Sequence, residues 1–579
     1  MTAAIDYAGI VRENTRKESA AYLSQVLERL PWGYKKFIPA QFWKIFKTEG
    51  ARSANWFLTQ LRLEAEKINY RLALDDDQLI NEAEAAARRC ESYLVQCGGD
   101  YDQAWSMAEA YAVKKGITPP DVEKLGGYPA MMRLCDGRFW RRALRKVHAR
   151  GLETLAIKAN AVNVRRSTYA STDTIKRRAE QKARNARILE NIKAVNEVGD
   201  EYTLAELAAL NVSNPAIRRA ELMTRIKGFE VMADQAGHVG EFYTWTAPSQ
   251  YHAALSRSGE RNPKYNGATP RETQAFLSKQ WAKARAELHR QGIKPYGFRV
   301  VEPHHDATPH WHMLFFMPFN QVKQCRAILK KYALEVDGNE PGAQKQRFKA
   351  VAIDKSKGTA AGYIAKYIAK AIDGFGIDAD LFGNTANDAS RAIESWASTW
   401  NIRQFQQIGG ASVTVWRELR RLKKEDTGTN PILERLRAAA DKGDWAEYCK
   451  LNARGAVGLV MSEETEVGRY GDIKAKRIIG VKTMVGNILG GGDEVITRVH
   501  TWTIGQPKQG EAAQEKQGEA AAPWTRVNNC TRDIKELEKL QAMQSKAYEE
   551  FTLLVESGDY RRGQFDEFYY EWLTERGLI

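Results

Sequence analysis

Four of the nine histidines in this 579-residue chain fall close together, at 304, 305, 310 and 312. His310 and His312 flank Trp311, and residues two apart on a β-strand share a face, so the two imidazoles project together. Such a pair binds a metal when a third donor converges on it. An isolated pair reads equally well as two satisfied surface or core histidines. Further along stands Tyr363-Ile-Ala-Lys-Tyr-Ile-Ala-Lys370. On a helix Tyr363, Lys366, Tyr367 and Lys370 form one stripe, with Ala361, Ile364, Ala365, Ile368 and Ile372 opposite. A phenol with a pKa of about 10 is a weak nucleophile at neutral pH. Lysine ammonium groups beside it, and a cation polarising a phosphate, let it attack phosphorus. The packing alternative places the tyrosines at a core edge with lysines at the rim. Two phenols one turn apart could also alternate between cutting and rejoining, a use that packing does not explain.

The elements that must position these groups are legible in outline. Phe242-Tyr-Thr-Trp-Thr-Ala-Pro248 is rich in β-branched and aromatic residues and stops at proline, which predicts a strand. Helix Pro270–Gln291 follows, capped by Thr269 with Glu272 completing a capping box. Two more strands are expected at Tyr296–Glu302 and His310–Met317. If 303–309 forms the turn, with Pro303, Asp306 and Pro309, Glu302 lies across from His310. Two imidazoles and a carboxylate then converge with coordination positions left open. His304 and His305 remain competing third ligands, phosphate contacts or passive loop residues. Trp311, Met313 and Phe315 take the opposite face, while Leu314 and Phe316 continue the histidine face. A helix at Thr359–Ile372 carries the tyrosines and ends near Gly374. Strands mixed with helices predict an α+β domain over 235–380 with an antiparallel sheet.

A helical, basic region is expected over 1–234, including helices at Asp77–Val95 and Ser171–Val195. Residues 138–190 hold 15 Lys/Arg against 4 Asp/Glu, an excess of +11 in a chain of net charge +15. That excess favours a polyanion, although charge alone does not separate DNA, RNA and an anionic membrane, or exclude a solvated surface. Within it, Phe139-Trp140-Arg141-Arg142-Ala143-Leu144-Arg145-Lys146 mixes aromatic and basic residues. Arg141, Arg142, Arg145 and Lys146 are candidate DNA contacts, and an amphipathic helix with aromatic anchors is the equal alternative. A mixed region over 381–505 with Gly490-Gly491-Gly492, a low-complexity tether over 506–523 and a helical tail over 524–579 complete the chain. Six scattered cysteines without a C-x-x-C pair argue against a disulfide scaffold. Cys90 and Cys97 are expected on one helix face as buried thiols. Without a run of about 18 apolar residues or a secretory leader, a cytoplasmic protein acting away from membranes is expected.

Taken together, these motifs resemble the HUH-type rolling-circle replication initiators, in particular the replication gene A protein family of tailed bacteriophages and prophages. Tyr296-Gly-Phe-Arg-Val-Val-Glu-Pro-His-His-Asp-Ala-Thr-Pro-His-Trp-His-Met-Leu-Phe-Phe316 is similar to that family's histidine motif, and 363–370 to its paired-tyrosine motif. Phe242–Ser249 resembles its first motif, and Asn262–Gly267 and Trp416–Arg421 are also similar. The resemblance runs from about 130 to 425. It implies a Rep-like antiparallel sheet with flanking helices, Mg²⁺ or Mn²⁺ as cofactor, and site-specific nicking of origin DNA. His310 and His312 are implied as ligands, and Tyr363 and Tyr367 as nucleophiles. Glu302 rests on the hairpin argument as much as on the resemblance. Host helicase and polymerase are implied partners. A two-tyrosine transposase or relaxase shares this chemistry. The reading from a different class is a DNA-binding protein with a structural metal.

Overall fold

The computed structural model describes residues 7–505 apart from 31, 67–74, 375–379, 381, 429, 464–465 and 485–492. The tether at 506–523, the tail at 524–579 and Gly490-Gly491-Gly492 lie outside the described residues. From 7 to 191 the elements are α1 (Tyr7–Glu28), α2 (Ile38–Glu49), α3 (Ala51–Glu66), α4 (Asp76–Gln96), α5 (Tyr101–Lys114), α6 (Val122–Leu125), α7 (Gly127–Leu134), α8 (Gly137–Lys158) and α9 (Thr172–Asn191). The helix expected to reach Val195 therefore ends at Asn191. Ile192 is extended, with φ −107° and ψ 128°, and strand β1 (Lys193–Asn196) follows. Pairing with a distant strand overrides the local helical pattern there. Cys97 caps α4 and is only half-buried, whereas Cys90 is buried.

Next come β2 (Glu201–Thr203), α10 (Leu204–Ala209), α11 (Pro215–Ala236), β3 (His238–Thr246), α12 (Pro270–Arg290), β4 (Tyr296–Pro303) and β5 (Pro309–Pro318). After them lie α13 (Phe319–Ala333), α14 (Ala343–Gln346), β6 (Phe348–Ala352), α15 (Ala360–Ile372), α16 (Ala386–Trp400) and β7 (Phe405–Ile408). The capping box at Thr269 and Glu272 is present, with Pro270 in the first turn of α12. The fold is α+β. Its central sheet has the order β6-β3-β5-β4-β7, and each neighbouring pair is antiparallel.

The alternation along β5 divides two cores. Trp311, Met313 and Phe315 join Tyr243 and Trp245 on one face, in a cluster that also takes in α12, α13 and residues Leu23 to Leu61 of α1–α3. Leu314 and Phe316 join Phe242 and Val300 on the other, against α11 and α15. Truncating one fully buried aromatic such as Phe315 to Ala costs about 3–5 kcal/mol. The sheet thus reaches past 380 through β7, and its covering helices begin well before 235. A third core, with Cys90, Met131 and Trp140, belongs to α4, α5, α7 and α8.

The C-terminal part contains α17 (Val413–Leu419), α18 (Pro431–Asp441), α19 (Trp445–Leu451), β8 (Val457–Met461), β9 (Ile478–Thr483), β10 (Glu494–Ile496) and β11 (Trp502–Gly505). Strands β8–β10 form a small sheet, while β11 returns to pair with β1, Trp502 opposite Asn196. Among the described residues no helix is long and apolar enough to cross a membrane.

Candidate metal centre and tyrosine helix

The turn between β4 and β5 sets the register of the site. Glu302 pairs with His310 and Val300 with His312, so the carboxylate and both imidazoles sit on one face at the strand ends. Inside the turn, His304 N–H donates to the Thr308 carbonyl at 2.7 Å, and Ala307 takes a left-handed φ of 69°. One donor atom from each of Glu302, His310 and His312 lies within 4.8 Å of the others. The two Nε2 atoms are 2.9 Å apart, and His312 Nε2 is 3.8 Å from Glu302 Oε2.

Burial governs the protonation of these groups. It drives His312 down to about 3, helped by His304, Lys370 and Lys366. Burial, then His312 and Lys370, hold His310 well below the ordinary imidazole value. Both rings are neutral at pH 7, the state in which imidazole ligates metals. Glu302 is pushed up to about 7 by burial, against the opposing pull of Lys370 and Lys366. Glu302 Oε1 and His310 Nδ1 are buried without a hydrogen-bond partner, and such orphaned atoms call for an explanation. A divalent cation held by Glu302, His310 and His312 would give the carboxylate a partner and relieve the close approach of the two Nε2 atoms. Two neutral imidazoles and a carboxylate form an N₂O donor set of the kind that holds a divalent metal ion. Residues and group fit.

Thr244, which pairs with His312 across β3 and β5, places its Oγ1 at 3.2 Å from His312 Nδ1. A bond to that nitrogen leaves Nε2 free to ligate and fixes the ring. Behind His310, the His304 ring stacks at 4.0 Å. His252 meets His304 edge-on at 5.0 Å and places Nδ1 at 3.2 Å from the buried Asp306 carboxylate. Neither His304 nor His305 joins the converging set; the His305 ring instead meets Phe382 edge-on.

Helix α15 is N-capped by Thr359, whose Oγ1 accepts from Gly362 N–H at 3.0 Å. Ile364 and Ile368 are fully buried under it. The stripe expected to carry chemistry turns toward the histidines. Tyr367 stacks on His312 with ring centroids 3.9 Å apart, whereas Tyr363 reaches Phe242 at 6.3 Å. Burial raises the Tyr367 phenol to about 12, with Glu302 adding to the shift. Lys366 Nζ is 5.0 Å from the Tyr367 ring centre. Lys370 Nζ lies 3.7 Å from Glu302 Oε2 and 4.8 Å above the ring of Tyr169.

Sequence reasoning missed Thr244, Tyr169 and the His252–Asp306 pair. Thr244 had a signal, because it shares a strand face with Phe242 in the first motif. Tyr169 had none. It is a buried residue with a left-handed φ of 72°, and its hydroxyl donates to Asp380 at 2.7 Å.

The basic candidates lie elsewhere. Trp140 is fully buried and its Nε1 donates to the Leu134 carbonyl at 2.6 Å, anchoring α8 in the core it shares with α4, α5 and α7. Arg145 makes a bidentate pair with Asp76, its Nε bond 2.7 Å long. Arg142 and Lys146 are exposed and Arg141 is half-buried.

The model of the family described as bacteriophage replication gene A protein (GPA) matches residues 76–375, beginning earlier and ending sooner than the motifs do. The chain is 40% identical over 453 residues to the replication gene A protein of Escherichia phage 186, covering 74% of this chain and 64% of that one. It therefore spans less than two thirds of that relative. It is 34% identical over 568 residues to the probable replication protein P12 of Pseudoalteromonas phage PM2, covering 89% and 85%. A probable replication endonuclease from a prophage-like region of Salmonella paratyphi A is 32% identical over 465 residues, covering 74% and 57%. No solved structure matches. The histidine hairpin and the tyrosine helix both fall inside the matched region, and the chain belongs to the bacteriophage replication gene A protein family.

Proposed function

We propose that this chain is a site-specific, metal-dependent DNA-nicking enzyme that starts rolling-circle replication through a tyrosine nucleophile. The observation that carries the reading is the stack of Tyr367 on His312, which puts a phenol against a ring of the converging Glu302–His310–His312 set. Relatives named as replication proteins and replication endonucleases support the same assignment.

A divalent cation, Mg²⁺ or Mn²⁺, held by Glu302, His310 and His312 would polarise the scissile phosphate and offset the charge building on its oxygens. The remaining work falls to the protein. Tyr367 or Tyr363 attacks phosphorus through its phenolic oxygen, and the bond to the 3′-oxygen breaks. The phenol gives up its proton, the departing oxygen takes one up, and the strand end stays joined as a 5′-phosphotyrosine. Lys366, beside the Tyr367 ring, stabilises the phenolate, while Lys370 holds Glu302 in place. Because the ester retains the bond, attack by a 3′-hydroxyl reverses the step, and the second tyrosine allows another cut. The free 3′-hydroxyl would prime host polymerase behind a host helicase. Arg142 and Lys146, exposed on α8, would add phosphate contacts, with Arg141 and Arg145 beside them.

The test is incubation with a labelled single-stranded origin oligonucleotide and Mn²⁺, followed by mass spectrometry of the adducted peptide. An adduct on Tyr363 or Tyr367, with phosphate at the DNA 5′ end, is expected. Continued nicking and adduct formation by the Tyr363→Phe, Tyr367→Phe double variant would sink the mechanism.

A further inference from the structure

The face of the sheet that carries the histidines is not covered uniformly. Helices α11 and α15 pack over β3, β4 and β5, whereas β6 is braced by α13 and α14. The packing of β6 lies on the opposite face, where Phe348 joins the cluster with Tyr243 and Phe315. Side chains of β6 that point to the histidine face therefore meet solvent. Lys349 is exposed, and Val351 is 50% exposed, unusual for an apolar residue inside a sheet.

Register ties this shelf to the candidate centre. Lys349 pairs with Thr244 across β6 and β3, and Thr244 pairs with His312 across β3 and β5. Directly opposed residues share a face, so Lys349, Thr244 and His312 form one row across the sheet. Lys349 stands two strand spacings, about 10 Å, from His312. The next row runs Val351, Phe242, Leu314. The strand itself is firmly held. Arg347 is buried and donates to the carbonyls of Thr246, Val336 and Ala333. Lys349 has no ion pair or hydrogen bond from its side chain among the described residues, whereas the neighbouring Lys355 is paired with Asp234. An unpaired ammonium beside an exposed apolar side chain, on a rigid edge open to solvent, matches a single strand's phosphate next to the apolar surface of its base.

We propose that β6 is a landing shelf for the single-stranded DNA flanking the scissile phosphate. Lys349 pairs with a backbone phosphate, and Val351 packs against a base or sugar. The proposal rests on the nicking reading above, since the strand crossing the histidine row is what reaches Lys349. Val351 offers an apolar surface to an unstacked base, which a duplex keeps inside its own stack, so the shelf favours the single strand.

The test measures binding without cleavage, so that it stands apart from the mechanism. A fluorescent single-stranded oligonucleotide is titrated by anisotropy into the full chain carrying Tyr363→Phe and Tyr367→Phe, over a range of NaCl. Removing one phosphate contact from a single strand lowers the slope of log K against log salt by about 0.7. Lys349→Ala should show that drop, with affinity reduced about fivefold at low salt. Lys349→Glu should lose more and Lys349→Arg should recover most of the affinity. Val351→Ser should weaken single-strand binding without the Lys349→Ala change in slope. Unchanged slope and affinity in both Lys349→Ala and Lys349→Glu would overturn the proposal. So would an equal loss for a blunt duplex, which would make Lys349 part of a general basic surface. Loss of single-strand affinity with correct slopes sustains the shelf even if no phosphotyrosine is ever trapped.

Discussion

Tyr367 lies nearly parallel to His312, 27° between planes and 3.9 Å between centroids, while Tyr363, one turn earlier, touches only the rim of the same aromatic stack through Phe242. The two phenols are therefore not equivalent in the folded protein. Tyr367→Phe keeps the stack and removes only the hydroxyl. It should lower the first cleavage of a single-stranded oligonucleotide by roughly 10³-fold or more. Tyr363→Phe should retain that first cut and lose the subsequent joining step. Single-turnover cleavage and strand-transfer assays separate the two, and equal loss in both variants would contradict the asymmetry.

Removing a histidine should uncouple metal binding from DNA binding. In His310→Ala the donor set falls to one imidazole and one carboxylate, so Mn²⁺ should no longer raise the melting temperature. A cation at 100 times its Kd stabilises the wild type by about 2.7 kcal/mol. Affinity for single-stranded DNA in EDTA should stay within a few-fold of the wild type. Equal loss of DNA binding would point to a structural metal instead.

The pH dependence follows from Glu302, whose carboxyl is raised to about 7 by burial. In the unfolded chain a glutamate titrates at about 4.3. Between those values the metal-free folded state binds the extra proton, so Glu302 lowers stability as pH rises from about 4.3 to 7, after which its contribution levels off. Mn²⁺ must displace that proton, so its affinity should climb by up to about tenfold per pH unit below 7 and flatten above it. His312, at about 3, does not compete in this range. Glu302→Gln should erase the slope in calorimetric Mn²⁺ titrations at pH 5.5, 6.5 and 7.5.

Tyr169 holds Lys370 from below while its hydroxyl satisfies Asp380. Tyr169→Phe keeps the ring and leaves the Asp380 carboxylate short of one donor, which should cost about 1–2 kcal/mol in urea unfolding with nicking nearly retained. Tyr169→Leu removes the ring beneath Lys370 and should reduce nicking far more than Tyr169→Phe does. The left-handed backbone at a buried tyrosine is strain retained by its surroundings, which fits a positioning role for this residue.

A fragment cut at 235–380 should not fold natively, because it omits β7, α11 and the α1–α3 side chains that share a core with Trp311. Near-ultraviolet circular dichroism should show little fixed aromatic packing in that fragment, and a native-like spectrum would refute this.

The histidine hairpin and the tyrosine helix were legible because their information is local. A short turn fixes which residues of β4 and β5 face each other, and a cap with 3.6-residue periodicity fixes α15. Strands β6, β7 and β1 were not legible, since four- and five-residue segments owe their state to distant partners rather than to their own propensity. Lys349 lies on such a segment. Trp140 had two readings from sequence, DNA stacking or core anchoring. The structure buries it completely, whereas Arg142 and Lys146 on the same helix remain exposed.

The pairing of β1 with β11 also imposes an order of events on a growing polypeptide. Asn196 must wait for Trp502, roughly 300 residues later, which at typical synthesis rates is about 15–60 s. During that interval the edge of β1 that β11 covers in the folded chain, with Ala194 and Val195, lacks its partner and is open to pairing with a neighbouring nascent chain. Slow translation or crowded ribosomes should therefore favour misassembly at this edge until β11 emerges.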